Sequence, residues 1–304
     1  MILLWGIPSE PPMRLAAEAA ERAGVDHVVL DQRTSSDDDL VIDLSRGCGT
    51  LATGGRTLDL AALRGVYVRI MDPARVPGND STADRRARSS ALHEMLLTWL
   101  DAAPAHVRVA NPTPAMATNG SKPYQAQLIA QVGFDVPETL VTDEAQVLAT
   151  FEDECGPVVF KSISAVRSIV SPLDPAARAR LGRLRWLPVQ FQRRERGDDV
   201  RVHVVGDKVL AARARTDAVD YRYAGRDGHE VRLEPIDLPD DVARRCVELS
   251  ERLGLPFAGI DLMVRPDGSW VCFEVNPSPG YSWYEQAAGL PIADALVSWL
   301  AHRH

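Results

Sequence analysis

The sequence has few cysteines and no long apolar run. Cys48, Cys155, Cys246 and Cys272 are widely scattered, so neither a metal-thiolate motif nor a disulfide framework is indicated. We expect reduced, partly buried thiols in a cytoplasmic protein. No apolar stretch of the ~18 residues that a membrane helix needs is present, so we predict no membrane span. The start, MILLWGIPSEPP, lacks the basic and long apolar regions of a signal peptide and is predicted to form a first strand.

Length and charge limit the class of protein. At 304 residues the chain is long enough for two or three packed units. Its 45% hydrophobic and 25% charged content is ordinary for a soluble globular protein. A net charge of −8 argues against a general nucleic-acid binder, although a local basic patch is compatible with it.

The first third of the chain alternates strand and helix patterns, which predicts an open, mostly parallel α/β sheet. The predicted strands are residues 2–6, 28–30, 40–44 and 65–70, and the predicted helices are residues 12–23 and 81–102. The stretch Asn111-Pro112-Thr113-Pro114 is typical of a loop and marks a boundary. We therefore predict an N-terminal α/β domain over residues 1–110.

Two further units are expected after this boundary. The central unit, residues 111–186, mixes helix patterns with strands at 139–141 and 157–161. In the C-terminal unit, residues 187–304, strands dominate and a helix over 240–252 interrupts them, which predicts an α+β composition.

An apolar strand near the C-terminus carries polar residues at alternate positions. In Phe273-Glu274-Val275-Asn276 the side chains alternate between faces, so Glu274 and Asn276 are expected to share one face and Phe273 and Val275 the other. The plain interpretation is a solvated strand face.

The predicted register adds a second carboxylate. Asp267-Gly268 between two apolar runs predicts a two-residue hairpin loop, which places Asp261 opposite Glu274. Facing carboxylates repel unless a positive charge lies between them. Asp, Glu and an amide oxygen suit a hard cation, and magnesium usually takes one or two carboxylates plus substrate phosphates. We predict that Asp261, Glu274 and Asn276 are metal ligands beside a nucleotide.

Two lysines are candidate phosphate contacts. Lys161 ends an apolar strand, and the small polar segment 162–168 that follows suits a mobile loop over phosphates. Lys122 precedes a predicted helix. Solvated lysines are the alternative for both. The strand around Gln190 and Gln192 leads into a charged turn and suits either an adenine edge or a plain strand exit.

Charged residues also alternate on the next two predicted strands. Asp199 and Arg201 share a face of one strand, and Arg213 and Arg215 share a face of the next, across a Gly206-Asp207 turn. We expect the three arginines to form one cationic wall that suits an anionic substrate or an acyl phosphate. The alternative is a solvated sheet face.

Taken in chain order, the residues discussed above form a pattern that resembles the ATP-grasp ligases. The pattern is most similar to the RimK-type branch, which includes the graspetide peptide maturases. The specific part is the motif Glu-Val-Asn-Pro-Ser-Pro-Gly at 274–280, with Asp261 thirteen residues before Glu274. The resemblance covers residues 107–304, and the N-terminal unit resembles the domain that precedes the ATP-grasp domain in the family. Two features depart from the family. The segment 162–168 lacks the glycine-rich pattern often found there, and Gly259 stands where some relatives have an arginine.

The resemblance implies a role for each matching position. Asp261, Glu274 and Asn276 would hold magnesium, with two ions expected and manganese as an alternative. Lys122 and Lys161 would contact the phosphates of ATP. The adenine and ribose would be bound by residues of the strand exit, which are Gln190, Gln192, Arg193, Glu195 and Asp199. The resemblance implies three catalytic residues that act at the acyl phosphate or the substrate carboxylate, namely Arg201, Arg213 and Lys161.

The implied function is an ATP-dependent carboxylate–amine, or carboxylate–hydroxyl, ligase. A carboxylate does not react with an amine at neutral pH, whereas an acyl phosphate formed from ATP does, and no protein nucleophile is required. The substrate would be a carboxylate-bearing small molecule or a precursor peptide. A RimK-like enzyme would add amino acids to an acceptor, and a maturase would crosslink a peptide. A regulator without chemistry, a small-molecule kinase and a homodimer remain open.

Overall fold

The computed structural model describes residues 1–43, 45–76, 82–161, 170–216 and 221–302. The predicted phosphate loop at 162–168 and Leu44, the end of a predicted strand, lie outside the described residues. The helices are α1 Pro11–Arg22, α2 Ala83–Asp101, α3 Thr113–Met116, α4 Lys122–Gln131, α5 Ala145–Cys155, α6 Pro175–Arg178, α7 Asp240–Arg252, α8 Ser282–Ala288 and α9 Ile292–Leu300. The strands are β1 Ile2–Gly6, β2 His27–Asp31, β3 Asp39–Asp43, β4 Cys48–Thr53, β5 Arg56–Asp59, β6 Gly65–Arg69, β7 Arg108–Ala110, β8 Thr139–Thr142, β9 Val158–Lys161, β10 Ser171–Pro172, β11 Val189–Arg193, β12 Asp198–Val205, β13 Lys208–Arg215, β14 Arg232–Ile236, β15 Phe257–Val264 and β16 Trp270–Asn276.

The N-terminal sheet is open and parallel, as predicted. Its order is β2-β1-β6-β7, and every pairing in it is parallel. The first strand lies inside the sheet, and Ile2, Leu3, Leu4 and Trp5 are fully buried. A strand covered on both faces needs this continuous apolar run instead of alternation.

The placement of residues 40–44 in the parallel sheet is wrong. Residues 40–43 belong to β3, which pairs antiparallel with β4, and β4 pairs with β5 in a separate sheet. Gly54 and Gly55 connect β4 to β5, and both have positive φ, at 55° and 75°. Glycine adopts this conformation at no steric cost, and it is the one that a tight two-residue hairpin needs.

The second sheet has the order β10-β9-β11-β8, with antiparallel pairings. Leu148 of α5 and Phe191 of β11 are buried in the core on one side of it. The expected boundary between residues 186 and 187 would separate β11 from its sheet. Because β11 lies between β9 and β8, we propose that the boundary falls between Arg193 and Asp198.

The third sheet has the order β14-β13-β12-β15-β16 and is antiparallel throughout. One face packs on α7 through Cys246 and Leu249 of the helix and Ile260 and Val275 of the sheet. The predicted helix over 240–252 is confirmed. The opposite face looks toward the second sheet and carries the polar residues described below.

The C-terminal helices return to the N-terminal sheet. Ile292 and Leu296 of α9 share a core with Met13 of α1 and Leu4 of β1, and Arg108 of β7 donates a hydrogen bond to the carbonyl of Trp299. Residues 1–110 therefore share their core with the last part of the chain. The cysteines are free thiols, as expected. Among the described residues, no helix is long and apolar enough to cross a bilayer.

Candidate active site

The hairpin of β15 and β16 brings the predicted metal ligands together. Asp261 pairs with Glu274, and Gly259 pairs with Asn276, so both carboxylates and the amide lie on one face of the sheet. The predicted pairing of Asp261 with Glu274 is therefore confirmed. The Asn276 amide oxygen accepts a hydrogen bond from the backbone N–H of Ser278, which fixes its side chain beside the strand end.

The hairpin loop is longer than predicted. Val264 pairs with Trp270, so residues 265–269 form the loop in place of Asp267-Gly268 alone. This loop shifts the pairing by one residue as far as Leu262 and Cys272. A bulge between Asp261 and Leu262 then restores the predicted register at the carboxylates.

The bulge also changes which side chains face the site. An extra residue in one strand of an antiparallel pair turns its neighbour to the other face. Phe273 and Glu274, although adjacent, line the same cleft. The expectation that Phe273 points away from Glu274 is therefore wrong. Its ring instead adds an apolar wall next to the carboxylates.

Cationic side chains surround the two carboxylates. Lys122 Nζ lies 2.8 Å from Glu274 Oε2, and Lys161 Nζ lies 3.8 Å from the same oxygen. Arg201 Nη1 lies 2.6 Å from Asp261 Oδ1. Arg222 Nη1 lies 3.8 Å from Asp261 Oδ2 and 3.9 Å from Glu274 Oε1. The positive charge that facing carboxylates require is therefore present in the protein itself.

These charges set the protonation of Glu274. Burial alone would raise the pKa of this carboxyl group, but Lys122 and Lys161 lower it to about 2. Burial lowers the pKa of the Lys161 ammonium, while Glu274 opposes that effect. Glu274 is thus a carboxylate at neutral pH and is ready to bind a cation.

A cleft of about 320 Å³ lies between the second and third sheets. It is lined by many of the predicted site residues, namely Lys161, Gln192, Arg193, Glu195, Asp199, Asp261 and Glu274. Val159, Met263 and Phe273 supply apolar walls. A largely polar cleft with a few apolar walls suits a nucleotide, whose base needs apolar contacts and whose phosphates need charged ones.

Three predicted nucleotide contacts have partners within the protein. The side chain of Glu195 is 5% exposed, and its Oε2 accepts a hydrogen bond of 2.9 Å from Arg265 Nε. Gln192 donates a hydrogen bond to the Thr139 hydroxyl. Gln190 is buried and pairs with Lys161 across β11 and β9, but it is not among the residues that line the cleft.

Arg201 and Gly259 are neighbours across β12 and β15. A Cβ atom at Gly259 would lie 1.9 Å from Arg201 Nη2, so the guanidinium fills the space above the glycine. Arg201 is buried, pairs with Asp261 and lies over the ring of Tyr284, 5.7 Å from its centroid. Arg201 therefore supplies, from the adjacent strand, the charge that position 259 lacks.

The expected cationic wall is wrong. Arg201 pairs with Ala212, whereas Arg213 pairs with Val200. Paired residues point to the same face of a sheet, and residues one position apart point to opposite faces. Arg213 and Arg215 thus lie on the face opposite Arg201, where both guanidinium groups approach Asp198, at 3.7 and 2.8 Å.

Arg222 is a site residue that the sequence analysis missed. It belongs to a 3₁₀ segment, Tyr221–Asp227, and no strand or helix periodicity marks it. The adjacent Tyr221 is buried, and its hydroxyl lies 2.9 Å from that of Tyr284. Burial anchors this segment and so places Arg222 over the two carboxylates.

The donor set fits a magnesium ion that completes its coordination with a substrate. All candidate ligand atoms are oxygens, from Asp261, Glu274 and Asn276. Within the described residues, no group of three or more His, Cys, Asp or Glu side chains is arranged to hold a metal by itself. Magnesium sites commonly use one or two carboxylates plus phosphate oxygens, and Asp261 and Glu274 would supply the two carboxylates.

Comparisons with known proteins agree with this geometry. A family model described as RimK-like ATP-grasp domain matches residues 119–300. A probable alpha-L-glutamate ligase of Rhodopirellula baltica is 28% identical over 202 residues, which is 63% of this chain and 49% of that relative, so the chain spans about half of its length.

Solved structures match nearly the whole chain. The ATP-grasp ligase PsnB, complexed with a phosphomimetic variant of its minimal precursor, Mg and ADP, has a TM-score of 0.79 at 26% identity, over 99% of this chain and 97% of that chain. The macrocyclase MdnC of Microcystis aeruginosa MRC, bound with precursor peptide MdnA, has a TM-score of 0.80 at 21% identity, over 99% and 100% of the two chains. The N-terminal unit and the later sheets together therefore form one shared fold.

Proposed function

The chain belongs to the RimK-like ATP-grasp domain family, and on this premise we propose that it is an ATP-dependent ligase that joins a carboxylate to an amine or a hydroxyl. The family match confirms the family expected from the sequence, and the likeness to PsnB confirms the expected ATP-grasp fold. One observation supports the activity above all. Asp261 and Glu274 face each other in a cleft, with Lys122 and Lys161 at 2.8 and 3.8 Å from Glu274.

ATP and magnesium are the proposed cofactors. Asp261, Glu274 and Asn276 would hold the metal, and bound magnesium would offset phosphate charge and align the γ-phosphoryl group for transfer. We propose two ions, because Glu274 lies between Asp261 and Asn276 on the sheet face and has two oxygens to share. Manganese would replace magnesium, since it accepts the same oxygen ligands.

The balance of charge favours a polyphosphate. The described residues that contact the two carboxylates include an excess of cations, which are Lys122, Lys161, Arg201 and Arg222. When a metal neutralises the carboxylates, the lysine ammonium groups become available to phosphate oxygens. Phosphoryl transfer depends almost entirely on positioning and on such charge stabilisation.

The reaction has two steps. A carboxylate oxygen of the substrate attacks the γ-phosphorus of ATP, which releases ADP and leaves an acyl phosphate. An amine or hydroxyl of the acceptor then attacks the acyl carbon, the C–O bond to phosphate breaks, and the acceptor loses one proton. Phosphate is a good leaving group, so the protein needs no nucleophile of its own.

His203, which is fully buried, has its pKa lowered well below its usual value by burial and by Arg201, and we propose that it stays neutral.

The proposed substrate is a peptide. A second cavity of about 300 Å³ opens on the central unit. Phe160, Leu184 and Phe191 line it, and Arg180 and Arg183 also lie along it. At its margin, the side chain of Leu187 is 67% exposed. We call this cavity the apolar groove.

The apolar groove suits an apolar peptide segment with acidic neighbours. Its apolar lining is open at the exposed Leu187, an exposed apolar side chain of the kind found at sites of interaction, and the arginines favour an acidic partner. Modification of a carboxylate in such a peptide would fit the neighbouring structures, in which PsnB and MdnC are bound to precursors. The addition of single amino acids to an acceptor is the alternative, which the name of the glutamate ligase relative favours.

We propose that the protein works in the cytoplasm, because it needs ATP and its cysteines are free thiols.

The proposal is tested by ADP release from ATP and magnesium. Pools of amino acids and of acidic peptides are supplied in turn to the parent and to Glu274→Gln. We expect release that depends on one pool and vanishes in the variant. Arg215→Gln, on the opposite face of the sheet, is the matched control and should keep the activity. Nucleotide release that no pool stimulates, or that survives Glu274→Gln, would contradict the proposal.

Product mass separates the reaction classes. A crosslinked peptide loses one water for each bond, an amino-acid ligase product gains one residue, and a kinase product gains one phosphate. A stable phosphorylated product would favour the kinase. Nucleotide binding without any product would favour a regulator.

A further inference from the structure

The strand that carries two proposed metal ligands lies at the edge of its sheet. In the order β14-β13-β12-β15-β16, β16 is the last strand, and on its other side Asp135 forms an isolated bridge with Val271, at the end of β16 away from Glu274 and Asn276. The backbone groups that point away from β15 need other partners, because an edge strand presents unpaired N–H and C=O groups. The metal ligands Glu274 and Asn276 stand on this edge strand, on either side of Val275.

Gln125 bonds the free edge of β16 at Val275, the residue between these ligands. Its side-chain amide donates to the carbonyl of Val275 at 2.9 Å, and its amide oxygen accepts from the N–H of Val275 at 3.2 Å. The side chain thus replaces a neighbouring strand over one residue. Gln125 is 1% exposed, so water does not compete for these bonds.

Gln125 and Lys122 come from the same helix. Both belong to α4, where residues three apart lie on one face, and Lys122 contacts the Glu274 carboxylate itself. The helix therefore holds β16 at two points, one on the backbone and one on a ligand side chain. Asn111 adds a third point, since its amide donates to the carbonyl of Pro277, directly after Asn276.

We propose that Gln125 is a positioning residue for the magnesium site. The directions of Glu274 and Asn276 follow from the backbone between them, so a shift of the Val275 peptide would move both ligands. Metal ligands must be held within about 0.5 Å of their working geometry, and a partner one step behind a ligand changes metal affinity by about 10- to 100-fold. The inference rests on the proposed function, because it takes these side chains as the metal ligands.

The N-terminal unit contains a matched control. Gln32 is buried and makes the same pair of bonds to Met71, donating to its carbonyl at 2.7 Å and accepting from its N–H at 2.8 Å. Gln32→Met and Gln125→Met therefore remove the same bonds and leave the same backbone groups without a partner. Only Gln125 lies behind the proposed ligands.

The test measures how strongly magnesium tightens the binding of ADP. Calorimetric titration with ADP, in magnesium and in excess EDTA, gives two Kd values whose ratio reports the metal site without any turnover. We expect Gln125→Met to lower the ratio about tenfold, with an unchanged Kd in EDTA, and Gln32→Met to keep the parent ratio. Gln125→Asn, which keeps the amide but is one methylene shorter, is the milder variant if Gln125→Met does not fold.

The possible outcomes distinguish a failure of the proposed function from a failure of the positioning role alone. If the parent binds ADP equally well with and without magnesium, the proposed function fails, and the positioning role with it. If the parent shows the magnesium effect and both Gln125 variants keep its ratio, only the positioning role is wrong. If Gln32→Met loses as much as Gln125→Met, the effect is one of general stability, and the positioning role is again wrong.

Discussion

Arg201 occupies the space that a side chain at Gly259 would need. A Cβ atom there would lie 1.9 Å from Arg201 Nη2 and 2.7 Å from Pro279 Cβ. Gly259→Ala should therefore push the guanidinium away from Asp261. We expect the free energy of unfolding to fall by about 1–3 kcal/mol, as in other overpacked sites, and the magnesium dependence of ADP release to weaken. Denaturant unfolding and a magnesium titration measure the two effects.

Gly182→Ala is the matched control for this substitution. A Cβ at Gly182 would meet no heavy atom within 4 Å, and its φ is not in the positive region. Its free energy of unfolding should stay within about 0.5 kcal/mol of the parent. If Gly259→Ala were as stable as Gly182→Ala, the close approach of Arg201 to Gly259 would be wrong.

The two faces of the third sheet make a second prediction. Arg201→Gln should lower the free energy of unfolding by about 3–5 kcal/mol, because it leaves the Asp261 carboxylate without its closest partner in a buried site. Arg213→Gln removes a cation from the opposite face and should keep magnesium-dependent turnover near the parent value. Equal losses of turnover in the two variants would restore the cationic wall expected from the sequence.

The error over this wall shows what the sequence could and could not supply. The strands and their pairing were predictable from alternation and from turn residues at 206–207. A hairpin centred on that turn places Arg201 opposite Ala212, and the structure has this pairing. The face of each arginine follows from the parity of the pairing. Residues directly opposite share a face, so Arg213, one position further, cannot join Arg201.

The pairing of Asp261 with Glu274 in the β15–β16 hairpin was predictable, but for a partly wrong reason. The Asp-Gly signal located the turn, but the loop includes residues 265–269, and a bulge next to Asp261 compensates for the extra length. A bulge depends on packing across the sheet, which no short sequence pattern records. Arg222 was beyond sequence reasoning for a related reason. It stands on an irregular segment, and only the burial of Tyr221 places it near Asp261.

Arg222 makes the third prediction. Its guanidinium lies within 3.9 Å of both carboxylates, and its side chain is 34% exposed on the cleft side of the site. We expect Arg222→Gln to lower kcat about 100-fold, as the loss of one charge-stabilising donor does, while the free energy of unfolding changes little. Single-turnover kinetics with saturating ATP would measure the loss. A changed KM for ATP with an unchanged kcat would instead make Arg222 a binding residue.

The protonation of Glu274 makes the fourth prediction. Its pKa in the folded chain, about 2, is below the ordinary value of the unfolded chain, since Lys122 and Lys161 outweigh burial. A depressed pKa stabilises the fold above the ordinary value of about 4.3, and this stabilisation is lost as the pH falls toward 2. The free energy of unfolding of the parent should therefore fall more steeply between pH 5 and pH 3 than that of Glu274→Gln. Parallel pH profiles would show that the lysines do not hold Glu274 charged.

The apolar groove makes the last prediction. Leu187 lines the groove and is 67% exposed, so Leu187→Glu should fold normally but place a negative charge where an acidic, apolar peptide would dock. We expect the affinity for a stimulating peptide to fall about tenfold, which corresponds to about 1.4 kcal/mol, with an unchanged Kd for ADP. Val141→Glu, on β8, changes a residue that is 54% exposed and does not line the groove, so it is the control and should bind the peptide as the parent does. Unchanged peptide affinity in Leu187→Glu would remove the groove from the substrate path and would favour small amino-acid substrates at the cleft alone.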